Sequence, residues 1–332
     1  MNDSLRTQAL VTVDEPRAFG RVAVLLGGSS AERDISLLTG AAVHAALVER
    51  GVDAQQVDAT GDFVTTLMDG GFDRVWIALH GRGGEDGKLQ GLLDSLGIPY
   101  TGSGVLGSAL AMDKIRTKQV LEASGLPTPR WAQIAAPDDC SEVAESLGLP
   151  LFIKPAREGS SIGMSKVDNV QDLHSAWQRA AASDSAVLAE CGVDGPEYSA
   201  SILKGRALPL IRIDISSSFY DYDAKYLSDA TRYACPCGLE PAMEQRYQAL
   251  ALQAFQAVGA AGWGRVDFMV DAQRNEPLIL EVNTVPGMTT HSLVPMAAAA
   301  VDIDFADLVW QVLETSFGSA NRARQGGASD AA

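Results

Sequence analysis

Three oxygen-bearing side chains late in the chain set the first chemical question. In the run LILEVN, Leu278 to Asn283, Glu281 and Asn283 lie two residues apart and so share one face of a strand. The preceding run RVDFMV carries Asp267, and a turn at 273–275 would bring it across a hairpin. A carboxylate among Leu, Ile and Val is costly to bury without a partner. Asp, Glu and Asn together are hard oxygen donors, suited to magnesium that also holds phosphates. The alternative is that Glu281 pairs with Arg265 and Asn283 begins a turn.

A second stretch, KPAREGSSIGMSK from Lys154 to Lys166, gathers basic side chains, serines and glycines after the apolar run LPLFI. Lys154 at a strand end can reach a phosphate or a purine. The segment from Glu158 to Gly163 can curl its backbone N–H groups around phosphate oxygens, a shape that glycine permits. The same composition also fits a polar hairpin turn.

Other motifs are weaker. Ser29 and Glu32 in GGSSAERD fit a capping box at a helix start; alternatively Glu32 sits at the edge of a cleft and meets a substrate ammonium. In DYDAKYLSD, Lys225 stands beside Tyr226, which suits either a lid or a plain exposed loop. GSGVLG, Gly102 to Gly107, matches a dinucleotide fingerprint in form, but follows the fourth strand-like run rather than the first, so a tight turn opening a helix explains it better. GRGGEDGK is not a P-loop, because Arg82 takes the place of the first glycine and Leu89 that of Ser or Thr. Cys235 and Cys237 have no second pair or nearby histidine to complete a zinc site.

The elements that must position these residues alternate at first. Val22 to Leu26 is a strand, a helix follows to Gly51, and strands recur near 54–57, at RVWIAL and at Ile98 to Thr101. This alternation predicts a parallel sheet covered on both faces. A long helix is expected from Val105 to Ala123. Beyond it, PLFIK and AVLAE flank a helix near 170–182. Two hairpins are then expected, turning at Lys204-Gly205 and at Gln273 to Asn275, and the stretch from Met296 to Phe317 is expected to be helical. The fold class is thus α/β and α+β, with roughly two or three domains in 332 residues.

The bulk composition narrows the partners. A formal net charge of −16 argues against nonspecific nucleic-acid binding, which needs a basic surface to displace counterions. No apolar run is long enough to span a bilayer. The first twenty residues lack an apolar signal core and are expected to form a loose extension. Four scattered cysteines suit a reducing, cytoplasmic setting.

Ten stretches, in order, carry a family resemblance: LLGGSSAERDIS, ALHGRGGEDGKLQG, PYTGSG, AMDKIRTK, KPAREGSSIGMSK, GPEY, FYDYDAKYLSD, GWGRVDF, LEVNTVPGMT and HSLVPMAA. Together, from about Val22 to Leu313, they resemble the D-alanine–D-alanine ligases of the ATP-grasp superfamily. The resemblance implies a Rossmann-like N-terminal domain at 21–112, a central ATP-grasp subdomain at 113–189 and a C-terminal one at 190–318, between a flexible 1–20 and a disordered 319–332. It implies ATP-dependent joining of two D-alanines through a D-alanyl phosphate, for peptidoglycan precursor synthesis, with a D-alanine–D-lactate or other D-amino-acid ligase as the alternative. It implies a cytoplasmic homodimer using two magnesium or manganese ions, with neither membrane nor nucleic acid as partner.

The same resemblance assigns residues. Glu32 would meet the first D-alanine's ammonium with His80 nearby, and Arg265 and the Gly287 backbone would hold the oxyanion. Ser160 and Tyr226 would link to Glu32 and position loops over the reacting groups. Ser292 and Leu293 would receive the second D-alanine's carboxylate. Lys114, Lys154, Glu158, Ser160, Ser161, Glu190, Cys191, Val193, Glu197, Lys225 and Asn283 would bind ATP, and Asp267, Glu281 and Asn283 the metal. One departure stands out: members of the family often have lysine where Cys191 follows Glu190, so a weaker or rearranged adenine contact is expected.

Overall fold

The computed structural model describes residues 11–215, 231–289 and 292–318. Its first layer is a parallel sheet of β1 (Arg21–Leu26), β2 (Asp53–Asp58) and β3 (Arg74–Ile77), in the order β2-β1-β3. Central β1 reads as a continuous apolar run because helices cover both of its faces; Val22 to Leu25 are fully buried. The connecting helices are α1 (Arg33–Glu49) and α2 (Phe63–Asp69), and α3 (Lys88–Leu96) follows β3. The strand expected at Ile98 to Thr101 contracts to one parallel bridge between Val75 and Tyr100.

The long helix expected from Val105 to Ala123 is two helices, α4 (Val105–Met112) and α5 (Lys114–Ala123). Asp113 between them is extended, and its carboxylate accepts a 3.0 Å hydrogen bond from the Arg116 amide. An aspartate that caps a new helix in this way outcompetes continuation of the old one. The break puts Lys114 at the first position of α5. In GSGVLG, Gly107 serves close packing: a Cβ there would lie 2.3 Å from the Gly259 carbonyl oxygen.

A second sheet contains β4 (Trp131–Ile134), β5 (Leu151–Pro155), β6 (Ser165–Val167) and β7 (Val187–Cys191), all antiparallel, in the order β4-β7-β5-β6. Helices α6 (Cys140–Leu147) and α7 (Leu173–Ser183) cover it around Ile134, Leu151, Ile153 and Leu173. A third, antiparallel sheet runs β11-β10-β8-β12-β13. Its members are β8 (Glu197–Leu203), β10 (Ile211–Ile215), β11 (Thr231–Ala234), β12 (Trp263–Asp271) and β13 (Glu276–Asn283), with short β9 (Arg206–Ala207) on β8 and α8 (Pro241–Ala257) behind it. Both expected hairpins form at the expected turns, β8–β9 and β12–β13.

The stretch from Met296 to Phe317 also divides, into α9 (Leu293–Ala299), α10 (Phe305–Glu314) and a terminal 3-10 turn. Asp304 starts α10 by accepting from the Asp307 amide at 2.7 Å. These C-terminal helices return to the parallel sheet and share its core. They also fix the segment expected to be loose. Phe19 is fully buried against Trp310 and Phe317, and the Val13 amide donates to Glu314 Oε1 at 2.8 Å. The looseness expected of the first twenty residues does not extend to 11–20, which Phe19 pins to the C-terminal helices as an apolar anchor.

Candidate functional site

Antiparallel pairing places Asp267 opposite Glu281 and Arg265 opposite Asn283, a square of polar residues on one face of β12 and β13. The register shifts just after this square. Leu280 is the extra residue, so Ile279 turns to the core while Leu280 reaches the cleft. Arg265 Nε lies 2.9 and 3.0 Å from the two carboxylate oxygens of Asp267, and Ser199 Oγ donates to Asp267 Oδ1 at 2.8 Å. The alternative pairing of Arg265 with Glu281 is not what forms: Arg265 pairs with Asp267 on its own strand, while Glu281 Oε2 lies 3.5 Å from Lys114 Nζ. Among the described residues no group of three or more His, Cys, Asp or Glu is placed to hold a metal. The donor set here is two carboxylates and the Asn283 amide, whose Oδ1 accepts from the Val285 amide at 3.1 Å. Hard oxygens of this kind fit magnesium or manganese.

Two cavities meet at this square. The larger, about 570 Å³, lies between the second and third sheets and is bordered by Lys154, Ser161, Glu190, Cys191, Val193 and Glu197. The other, about 400 Å³, lies toward the parallel sheet and is bordered by Glu32, His80, Arg265, Asn283, Gly287, Ser292 and Leu293. Six residues border both: Lys114, Glu158, Gly159, Ser160, Asp267 and Glu281. Every described residue assigned by resemblance borders one cavity or both. Lys225 and Tyr226 lie outside the described residues.

In the larger cavity a buried charge cluster holds Glu190. Lys154 Nζ donates to Glu190 Oε1 at 2.6 Å, and Lys118, wholly buried, forms an ion pair with Oε2. Burial alone would raise the Glu190 carboxyl, but the two ammonium groups outweigh it and hold it below the usual range. Lys118 is itself depressed, by burial against the pull of Glu190. Its remaining contact is to Thr128 Oγ1 at 2.7 Å. In the sequence, the one signal for Lys118 is its place one helical turn after Lys114. Cys191 borders the same cavity, and its Sγ lies 3.5 Å from the Leu147 carbonyl oxygen.

In the smaller cavity Glu32 is 7% exposed and caps nothing: no side-chain cap bond forms at the start of α1, which sets aside the capping box. Instead the Glu32 amide donates to Ser30 Oγ, and Ser160 Oγ donates to Glu32 Oε1 across the cleft. His80 borders the cavity with both ring nitrogens engaged by the protein: Nδ1 donates to the Val285 carbonyl at 2.8 Å, and Nε2 lies 3.0 Å from Thr39 Oγ1. Burial depresses its pKa, partly offset by Glu32. Glu85, for which no spacing rule in the sequence suggests a role, accepts from the Gly81 amide at 2.8 Å. Burial first, then the Glu32 charge, push its carboxyl well above the usual range.

Two antiparallel sheets clasping a shared cleft behind a parallel three-stranded unit define an ATP-grasp fold. Residues 65–103 match the family model for the D-ala D-ala ligase N-terminus and residues 120–314 that for its C-terminus. A D-alanine--D-alanine ligase of Methylococcus capsulatus is 54% identical over 92% of this chain and 98% of its own. The crystal structure of a Bacillus anthracis D-alanine--D-alanine ligase complexed with ATP is 32% identical with a TM-score of 0.79, covering 90% of this chain and 97% of that one. The VanG D-Ala:D-Ser ligase of Enterococcus faecalis is 28% identical with a TM-score of 0.77, covering 89% of this chain and 99% of that one. The chain belongs to the D-alanine--D-alanine ligase family.

Proposed function

We propose that this chain joins two D-alanine molecules at the expense of ATP, releasing ADP and phosphate and supplying D-alanyl-D-alanine for peptidoglycan precursor. The observation that carries this reading is the shared wall of six residues between a nucleotide-sized cavity and a smaller one rimmed by Glu32, Arg265 and Ser292. A phosphoryl group handed from one cavity to the other must pass that wall. The nucleotide base lies along Glu190, Cys191 and Val193, with Glu197 and Ser161 nearby, and Lys114 and Lys154 reach its phosphates; Lys225 is assigned to the γ-phosphate. Glu158 and Ser160 close over it.

The first D-alanine's ammonium meets Glu32. Its carboxylate oxygen attacks the γ-phosphorus, the bridging P–O bond breaks toward ADP, and an acyl phosphate results. Arg265 and the Gly287 N–H stabilise the oxyanion when the second amine adds to the acyl carbon. Collapse expels phosphate and leaves the amide bond. Ser292 and Leu293 hold the second carboxylate, and Tyr226 joins Ser160 and Glu32 in positioning the loops. Asp267, Glu281 and Asn283 are the residues that would hold magnesium or manganese, which neutralises phosphate charge when bound. The domain limits near residues 112 and 189, a homodimeric state and a cytoplasmic location belong to the same reading; among the described residues no helix is long and apolar enough to cross a membrane.

The test is phosphate release with D-alanine and magnesium, run beside D-lactate, D-serine and L-alanine, with the product identified by mass. Dipeptide formed from D-alanine alone, lost on chelation of the metal, supports the reading. Equal release with L-alanine, or turnover that survives Glu281→Gln, overturns it.

A further inference from the structure

The glycine-rich turn after β3 contains one residue that the proposed chemistry leaves unused. Arg82 stands where a phosphate-binding loop would have its first glycine, and its guanidinium leaves the N-terminal unit for the second sheet. Nε lies 2.7 Å from Glu158 Oε1 and donates to the Arg157 carbonyl at 3.2 Å. Nη2 donates to the Ser183 carbonyl at 3.0 Å and lies 3.7 Å from Asp184 Oδ2. A single planar fork thus engages four groups on two adjoining segments of the second unit, 157–158 and 183–184.

We propose that Arg82 is a latch between the two units, a positioning residue that holds the Glu158–Ser161 loop closed over the reacting groups. Exposed ion pairs usually contribute little, but these acceptors are not exposed. The Asp184 side chain is 2% exposed and that of Glu158 17%. Asp184 is further fixed by Arg157, whose Nε and amide both donate to Oδ2 at 2.9 Å. The base of the loop is therefore rigid where Arg82 grips it.

The loop also needs holding. Ser160 and Ser161 both have left-handed backbones, φ 49° and 60°, which residues other than glycine adopt only when their surroundings impose it. Among the described residues three contacts hold the loop across the cleft: Lys114 Nζ to the Glu158 carbonyl at 2.7 Å, Ser160 Oγ to Glu32, and Arg82 to Glu158. Of these, only the Arg82 contact involves a group with no assigned part in the reaction. Without it, the open loop gains population and apparent substrate affinity falls by the fraction that remains closed.

The inference rests on the ligase reading for its kinetic arm but not for its structural arm. In the structural arm, amide hydrogen exchange is followed by mass spectrometry in the full chain without ligands. Arg82→Ala is expected to speed exchange in peptides spanning 157–164 while leaving β1 and β12 unchanged, and Arg82→Lys is expected to fall between. In the kinetic arm, Arg82→Ala is expected to raise the KM for ATP and for the first D-alanine by roughly three- to tenfold, with kcat changed less than about twofold, because saturating substrates close the loop. Unchanged exchange at 157–164 overturns the latch. So does a variant that loses kcat at unaltered KM, or one in which Lys and Ala behave alike. Should the wild-type chain fail to ligate D-alanine, the ligase reading falls while the exchange arm still decides the latch.

Discussion

Thr39 on α1 holds His80 from behind: its Oγ1 lies 3.0 Å from His80 Nε2 and accepts the Met288 amide at 3.3 Å. Since His80 Nδ1 donates to the Val285 carbonyl, Nε2 of the neutral ring is the acceptor for the threonine hydroxyl. Thr39 and His80 therefore tie the loop 285–288, which carries Gly287, to the parallel unit at both ends. Thr39→Val keeps the shape and deletes the hydroxyl, leaving a buried ring nitrogen and an amide unpaired at about 1–3 kcal/mol. Part of that cost falls on loop placement, so kcat/KM for D-alanine is expected to drop roughly tenfold, with Thr39→Ser restoring most of it. Steady-state kinetics of the three proteins, with Tm as a folding control, check this.

Glu85 and His80 load the same cavity with opposite pH dependence. The Glu85 carboxyl is raised well above its ordinary 4.5 by burial and by Glu32. Its contribution to stability is then fully present below that value and is lost as pH rises through the raised one. His80 is depressed below 6.5 by burial, so its contribution is present above that value and is lost as pH falls through the depressed one. Glu85→Gln keeps an acceptor for the Gly81 amide and removes one of the two titrations. The variant is expected to gain stability over the wild type as pH rises and to show no gain in mild acid. Denaturant midpoints measured across about pH 5 to 8 read the difference directly.

Lys118 illustrates a different dependence, since its charge is needed only because Glu190 carries one. Replacing it by Met leaves Glu190 buried with Lys154 as its single counter-ion, and breaking a buried pair from one side costs about 3–5 kcal/mol. The Lys118→Met chain is expected to unfold at markedly lower denaturant. Saturating ATP should recover less stability than in the wild type, because the displaced carboxylate borders the nucleotide cavity. Lys118→Met combined with Glu190→Gln is expected to recover much of the loss in water while binding ATP poorly. The denaturant midpoints of the three chains, with and without ATP, separate these effects.

What the sequence disclosed, and what it withheld, follows from the range of the interactions. The polar square on β12 and β13 was legible because period-two alternation and a short turn are local, and Arg265, Asp267, Glu281 and Asn283 occupy the places that pattern assigns. The hairpin at Lys204-Gly205 was legible for the same reason. The break between α4 and α5 was not legible, because an aspartate inside an apolar-periodic run fits a helix surface as well as a cap until its carboxylate is seen to cap α5. The anchoring of Phe19 by Trp310 and Phe317, and the grip of Arg82 on Glu158, join residues far apart in the chain. No spacing rule reaches that far. Ten family-like stretches supplied that long-range knowledge for the site residues, but the roles they imply leave out Thr39, Glu85 and Lys118, although Glu85 and Lys118 lie within those stretches; all three support the site residues from behind.

Gly159 offers the sharpest test of how closely the cleft is closed. A Cβ on Gly159 would lie 2.8 Å from Glu32 Oε2, and one on Gly81 would lie 2.5 Å from the same oxygen. The Glu32 carboxylate is therefore enclosed between two glycines from different units, with Ser160 bonded to its other oxygen. Gly159 does not have the left-handed backbone that Gly81 has, φ 69°, so alanine at 159 brings a steric effect without backbone strain. Either the loop lifts or Glu32 turns, and each separates Ser160 from Glu32. Gly159→Ala is expected to raise the KM for the first D-alanine by about tenfold or more, as for a loss of roughly 1.4 kcal/mol. The effect on ATP should be smaller, because Lys154 and Glu190 are untouched, and Tm should stay within a few degrees of the wild type. Initial rates at varied D-alanine and fixed saturating ATP supply the measurement. An unchanged KM for D-alanine would mean that Glu32 and the Gly159–Ser160 turn do not meet during turnover.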